Sequence, residues 1–425
     1  MKKAIGIVLS ILAAICVAAM VFYYVRAYRA EQQYVHSNSA AILAVAVDDL
    51  LVDNLRSLVS ARSQKQSTKD STTIAFLRDI WQAGVDIPAR IYLYSLAEDP
   101  HTFYSVQKIN DQAQWHIFLR KYTPDMEAPE EGIAIQLTKN IAMLRSGDRI
   151  LFRFSLKDSS SSSFTAEALQ QDDNWIKIRQ LNAVKKLPKL DHVSYWTLNN
   201  KISLRAHIHH DNTEILGSWQ VDKVLPQGRH EVRTFTQDNV ALLFWSQLPI
   251  SSMPSVPQTL SKFSSAINDT AYDKPRYMDL LICQQTVSQQ DTIITYDYDE
   301  NFNSIEKSTI QDIQVPLIES VWQSDSAFAQ QLPDKMFYKL HKYQRDKVII
   351  LSTQDHLANA PTFEKNRDAY LFMLRLNFAN WPESWSFGPF KFLQMRQVKA
   401  IVSAIAENTH QMEIKGKICY SSLNL

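Results

Sequence analysis

Apolar and polar positions divide the chain into a short leading run and a long mixed remainder. Ala4 to Val25 is twenty-two residues without a charge, preceded by Lys2-Lys3 and followed by Arg26. A helix of that length rises about 33 Å, close to one bilayer core. Tyr23-Tyr24 stand where an interfacial aromatic belt would sit. The pattern predicts an uncleaved signal anchor, a transmembrane helix within residues 1–29 that has the lipid bilayer as its partner through residues 4–25. A cleaved signal peptide is the rival reading, because Val17-Ala18-Ala19 offers small residues to a peptidase. Against it, Met20 to Val25 continues the run past the roughly 7–15 apolar residues of a signal peptide. Lipidation at Cys16 is disfavoured, since Ile15 precedes it where a small residue is needed. Flanking cations are nearly balanced, and the short N-terminal tail favours an inside N-terminus. That orientation implies a single-pass protein of the inner (cytoplasmic) membrane with residues 30–425 exported to the periplasm.

Beyond residue 29 the periods are short. Residues 40–47 read as a buried strand, with Asp48-Asp49 as a helix N-cap and Leu51, Leu55, Leu58 and Val59 at helical spacing. Arg90–Ala97 and Thr102–Ile109 alternate around Glu98-Asp99-Pro100-His101, a hairpin. Asn110 or Asp111 caps a short helix carrying Trp115, Phe118 and Leu119. Further hairpins turn at Ser146-Gly147-Asp148 and at Asp211-Asn212, the latter between Lys201–His209 and Thr213–Val221. The second half offers similar elements in the same order. Val240–Gln247 is its opening strand, Val256, Leu260, Phe263 and Ile267 a helix stripe, and Tyr277–Gln285 with Thr292–Asp299 a hairpin. Ser326–Leu332 is a short helix, and two hairpins close the unit: Phe337–Lys342 with Lys347–Ser352, and Val398–Ile405 with Gln411–Cys419. The turns at Asp148 and Asp346, and at Asp211 and Glu407, match at offsets of 198 and 196 residues.

The expected fold class is therefore α+β: two tandem related units of antiparallel sheet with short helices, residues 30–225 and 226–425. Residues 30–39 and about 222–238 read as linkers, and the serine run Asp158–Ser163 as a solvated loop.

Composition narrows the chemistry. Lys+Arg 45 against Asp+Glu 44 leaves a net charge of +1, with no field to recruit nucleic acid. Beyond the leading run only Cys283 and Cys419 remain, so neither a disulfide framework nor a cysteine zinc site is available. Both sit in apolar runs and read as buried thiols, with a single bridge left open. Glycine numbers only 8, and no two are spaced for a dinucleotide, P-loop or nucleophile-elbow motif. No cofactor site and no catalytic residue is assigned.

His207 and His209 are the metal candidates, since alternate strand residues share a face. No third ligand stands near them in sequence. Tyr296–Asn303 places oxygen side chains like the start of a calcium loop. Phe302 occupies the glycine position, so a strand end leading into a turn is preferred. Trp381, Trp385, Phe387, Phe390 and Phe392 crowd twelve residues and form the candidate partner or apolar-ligand surface.

The string Tyr-Asp-Tyr-Asp-Glu-Asn-Phe-Asn at 296–303, with Val35-His36-Ser37-Asn38-Ser39-Ala40 leading into a strand, resembles uncharacterised envelope proteins of Bacteroidota. That resemblance implies an N-terminal hydrophobic segment and a long, twofold-repeated α+β region, and no reaction. Together these readings point to a membrane-anchored, non-catalytic binding or scaffolding module of the cell envelope, with an envelope protein or an apolar ligand as its partner. A membrane-tethered hydrolase or metal enzyme, and a carrier of an apolar ligand, are the alternatives.

Overall fold

Period-two alternation builds most of the described chain, and all its strand pairs are antiparallel. The structure is a computed structural model. It describes residues 20–53, 79, 82–122, 134–138, 140–155, 175–181, 191–228, 231–236, 238–248, 276–298, 304–324, 326–332, 334–335, 338–356, 360–366 and 368–421. Residues cluster into two compact units, Met1–His210 and Asp211–Asn424.

In the first unit, helix α1 (residues 20–30) turns into β1 (Tyr34–His36), which pairs with β8 (Trp175–Lys177). β2 (Ser39–Ala46) leads into α2 (Val47–Asp53). β3 (Arg90–Leu96), β4 (Thr102–Lys108), α3 (Gln112–Tyr122), β5 (Ala134–Thr138), β6 (Ile141–Ser146) and β7 (Arg149–Ser155) follow. β9 (Val193–Thr197) and β10 (Ile202–Ile208) complete it. Among the described residues the sheet order is β10–β9–β2–β3–β4–β7–β6–β5.

One core cluster packs Ile42, Tyr92, Tyr94 and Trp196 with Ala30, Val35 and Ile178. Another lies under α3, whose Trp115, Phe118 and Leu119 cover Met143, Ile150 and Phe152. α3 starts where predicted: the Asp111 carboxylate accepts the Gln114 N–H at 3.0 Å, satisfying one first-turn donor. Gly84 makes room for that cap. Its carbonyl accepts the N–H groups of Asn110 and Asp111 at 2.8 and 3.0 Å. With φ +73°, an added Cβ would lie 2.4 Å from the Asp111 carbonyl oxygen.

The second unit contains β11 (Asn212–Gln220), β12 (Glu231–Arg233), β13 (Val240–Ser246), β14 (Tyr277–Tyr298), β15 (Ser304–Gln323) and α4 (Ser326–Gln331). Then come β16 (His341–Arg345), β17 (Val348–Ser352), β18 (Phe363–Lys365), β19 (Tyr370–Asn377), α5 (Gly388–Met395), β20 (Lys399–Ala406) and β21 (Gln411–Cys419). Its order is β11–β21–β20–β19–β13–β14–β15–β17–β16, with β12 paired to β18. β11 belongs here because it pairs along its whole length with β21. The division thus falls ahead of the predicted boundary at 225.

Several expectations change. Tyr277–Gln285 and Thr292–Asp299 are not two arms of a hairpin but parts of one strand, β14, whose partner is β15. The polar stretch Gln284–Asp291 read as a turn because a two-stranded ribbon has little apolar surface to cover. It lacks glycine and proline, and after a register shift between Ile282 and Thr286 the ladder continues through it from Thr286 onward. Gln289, buried there, donates to the carbonyls of Lys339 and Thr353 at 2.8 and 2.7 Å.

The predicted linkers are packed structure. Residues 30–39 hold β1 with Ala30 and Val35 buried, and residues 222–238 hold β12 with Arg233 buried. Asp48 and Asp49 lie in the first turn of α2, where they face Arg26, Tyr23 and Arg90. Cys283 is buried but Cys419 is exposed, and both thiols are free. Of the two matched turn pairs, the first is Gly147-Asp148 and Asp346-Lys347, bracketed by Ser146 opposite Arg149 and Arg345 opposite Val348. Both turns of that pair open on a positive φ, so the offset is 199 residues. The second fails, because among the described residues Asp211-Asn212 joins no hairpin, β10 pairing with β9 and β11 with β21.

Among the described residues no helix is long and apolar enough to cross a membrane; residues 4–19 of the predicted anchor lie outside them. So do Leu55, Leu58 and Val59, the stripe from Val256 to Ile267, and the serine run.

The α3 start makes a stability prediction. Asp111→Ala is expected to cost about 1 kcal/mol in urea denaturation. Gly84→Ala is expected to cost more than that, because backbone rather than a side chain must move. Midpoints unchanged in both variants would contradict the capping geometry.

Candidate functional site

β9 and β10 bring titratable side chains together on the first unit. Ala206 lies opposite Val193 in the ladder, which sets His207 beside His192, the residue preceding β9. Their rings stack at 4.2 Å, and the His207 and His209 rings lie 4.5 Å apart, as alternate positions on one face require. Asp53, the last residue of α2, closes the group with its Oδ2 2.9 Å from His192 Nε2 and 3.8 Å from His207 Nε2. His207 Nδ1 is 3.6 Å from Asp191, which also lies 3.9 Å from Arg205.

One ligand atom from each of Asp53, His192 and His207 falls within 4.8 Å of the others. Two imidazoles and a carboxylate are a plausible zinc donor set. The hydrogen bonding argues otherwise. His192 Nδ1 accepts the Ile208 backbone N–H at 2.9 Å, so its proton sits on Nε2 and is donated to Asp53. Neither nitrogen then offers a lone pair, and a metal would have to break one of these bonds. The cluster acts as a post, with His192 buried and Asp53 at the surface, holding the end of α2 against β9 and β10. His209 does not join the Asp53–His192–His207 group. Sequence reasoning missed His192 and Asp53, because the link joins positions 139 apart across a strand, β9, that was not recognised.

A second cluster lies in the second unit. Arg233 Nη2 donates to Glu319, and Arg233 Nη1 is 3.6 Å from Asp279. Asp279 accepts the Tyr277 hydroxyl at 3.0 Å and the Val321 N–H at 2.8 Å. All four side chains are buried. Desolvation pushes the Asp279 carboxyl up to about 7 despite the opposing Arg233, and raises the Tyr277 hydroxyl well above its usual range. Every member is bonded to another, and the group has the character of an internal brace rather than a site awaiting substrate.

The aromatic group divides. Trp381 is buried and packs with Phe378 and Val398, with Trp385 and Phe390 against them. Trp385 donates its indole N–H to the Tyr338 hydroxyl at 2.9 Å. Phe387 and Phe392 stay on the surface, 62% and 56% exposed. The segment forms two 3₁₀ turns, Phe378–Asn380 and Glu383–Trp385, before α5. The calcium-like string runs off the end of β14, and residues 299–303 lie outside the described residues.

Two measurements check these assignments. Nitrogen-15 shifts of His192 at neutral pH are expected to report the Nε2–H tautomer; an Nδ1–H signal would contradict the post. For the brace, a raised Asp279 pKa means the folded state holds a proton that the unfolded state has released. Stability is expected to fall as pH rises from about 4 to about 7. One proton sets a ceiling of about 1.4 kcal/mol per pH unit on that slope. Asp279→Asn is expected to flatten it, and an unchanged slope in urea denaturation would contradict the assignment.

No protein-family model matches the chain, and no curated protein matches it. The chain is similar to a solved structure titled "Structure of crystal form I of TP0453", at 8% identity, covering 75% of this chain and 89% of that one. The TM-score is 0.22, a likeness too weak to carry an argument.

Proposed function

We propose that the chain is a membrane-tethered, exported envelope protein that works as a binding or scaffolding module rather than a catalyst. The observation that carries this reading is the joint between α1 and the first unit. Arg26 forks onto Asp48 at 2.8 and 3.0 Å and also donates to the Ile87 carbonyl at 3.0 Å. Tyr23 donates to Asp49, and Arg179 to the Tyr28 hydroxyl. The same helix leaves Met20, Val21, Phe22 and Tyr24 each more than half exposed. A water-facing helix docked this firmly has no reason to present such side chains, whereas a tether entering lipid does.

The absence of an open catalytic set among the described clusters supports binding over chemistry. In each cluster the titratable side chains are hydrogen-bonded within the protein, His192 with Asp53 and Ile208, and Asp279 with Tyr277 and Val321. Phe387, Phe392 and Met395 supply an exposed apolar face on the second unit for an envelope partner.

Descent of both units from one ancestor belongs to the same proposal. β10–β9–β2–β3–β4–β7–β6 and β20–β19–β13–β14–β15–β17–β16 pair in the same order. α3 and α4 fall at the same point of that order, and β1–β8 and β12–β18 are corresponding accessory pairs. The twofold-repeated envelope proteins of Bacteroidota remain the family this architecture would suit.

Fractionation tests the tether. The full chain is expected to stay with membranes through an alkaline carbonate wash, while a chain beginning at Met20 leaves with the soluble fraction. In spheroplasts, added protease is expected to digest residues 30–425. A shortened form of the full chain in the soluble fraction, or protection of that region, would overturn the proposal.

A further inference from the structure

Beside the joint, the first unit holds a cavity of about 300 Å³ whose wall includes Arg26, Arg29, Gln32, Asp86, Lys108 and Arg149. Four cations thus face one carboxylate. Two of the cations are already engaged. Arg26 is committed to Asp48, and Lys108 lies 3.5 Å from Asp148 in a pair more than half exposed on both sides. Among the described residues, neither Arg29 nor Arg149 has an ion-pair or hydrogen-bond partner for its guanidinium.

Arg29 is exposed, whereas Arg149 is half-buried in a repulsive setting. Lys108 stands directly opposite Arg149 in the β4–β7 ladder, and like charges at opposed positions repel. An anion between them converts the repulsion into attraction. Gln32, in the same wall, has a buried amide nitrogen without an acceptor.

The donor set selects the anion. Two free guanidinium forks, an ammonium and an amide can address three or four oxygens at once, which a tetrahedral phosphate presents and a carboxylate does not. The volume lies at the low end for small-molecule sites and leaves room for an esterified group beyond the phosphate. The exposed apolar side chains of α1 lie on the helix that forms part of this wall, which favours a lipid as the source of the ester.

We infer that this cavity binds a phosphate ester, supplied by the phosphoglycerol head group of an anionic lipid. The lipid source rests on the tether proposed above; the phosphate site does not.

The test uses the full chain in detergent micelles. One arm titrates sn-glycerol 3-phosphate calorimetrically. The other measures, by native mass spectrometry, retention of phosphatidylglycerol against phosphatidylcholine. The double variant R29Q/R149Q is expected to weaken glycerol phosphate binding at least about tenfold, and R149K, which keeps charge but loses the fork, to fall between. Asp86→Asn is expected to tighten binding about threefold, a gain that damage to the fold would not produce. Selective retention of phosphatidylglycerol, lost in the double variant, supports the lipid source. Glycerol phosphate binding without that selectivity keeps the phosphate site and removes the lipid source. No binding in either arm, or binding indifferent to R29Q/R149Q and to Asp86→Asn, overturns the inference.

Discussion

The fork of Arg26 on Asp48 decides how the first unit stands on its leading helix. Both side chains are partly buried, so the pair is less screened than a surface contact, and the two parallel bonds fix orientation as well as distance. Ala30 and Val35, both fully buried, carry the chain from that helix into the core without a flexible interval. The result is a packed, hydrogen-bonded mount where a linker was expected.

Away from the mount, antiparallel ladders carry most of the architecture, and buried polar groups mark where strand choice had to be settled. Arg233 reaches from a three-residue strand to carboxylates on β14 and β15, and His192 bonds across to Asp53 at the end of α2. Such groups contribute little net stability compared with apolar packing of the same volume. Their cost when mispaired is large, because a buried charge or imidazole is left without its partner. In both units they join segments far apart in sequence, which is where a wrong register would otherwise be cheapest.

Local signals in the sequence were legible where local physics decides. The hairpin at Glu98–His101 and the Asp111 cap are set by turn and capping chemistry within a few residues, and both appear where periodicity and composition place them. The pairing of His207 with His209 followed from strand alternation alone. What stayed hidden depended on partners distant in sequence. A polar stretch such as Gln284–Asp291 has the composition of a turn, and only the existence of β15 makes it strand. Residues 30–39 and 222–238 carry no strong periodic signal, yet short pairings with β8 and β18 fold them in. His192, the partner of His207 in the Asp53 group, could have been found only by recognising β9, whose Ser194 and Trp196 alternate too briefly to stand out.

The central proposal is that the first unit is rigidly fixed to a helix entering the membrane, and distance measurements on the full chain in lipid test it most directly. Spin labels would replace Tyr24 and Glu98 through Tyr24→Cys and Glu98→Cys, with Cys16, Cys283 and Cys419 replaced by alanine. The account predicts a single narrow distance distribution that broadens when Asp48→Ala removes the fork. A broad distribution in the otherwise native chain, unchanged by Asp48→Ala, would contradict it.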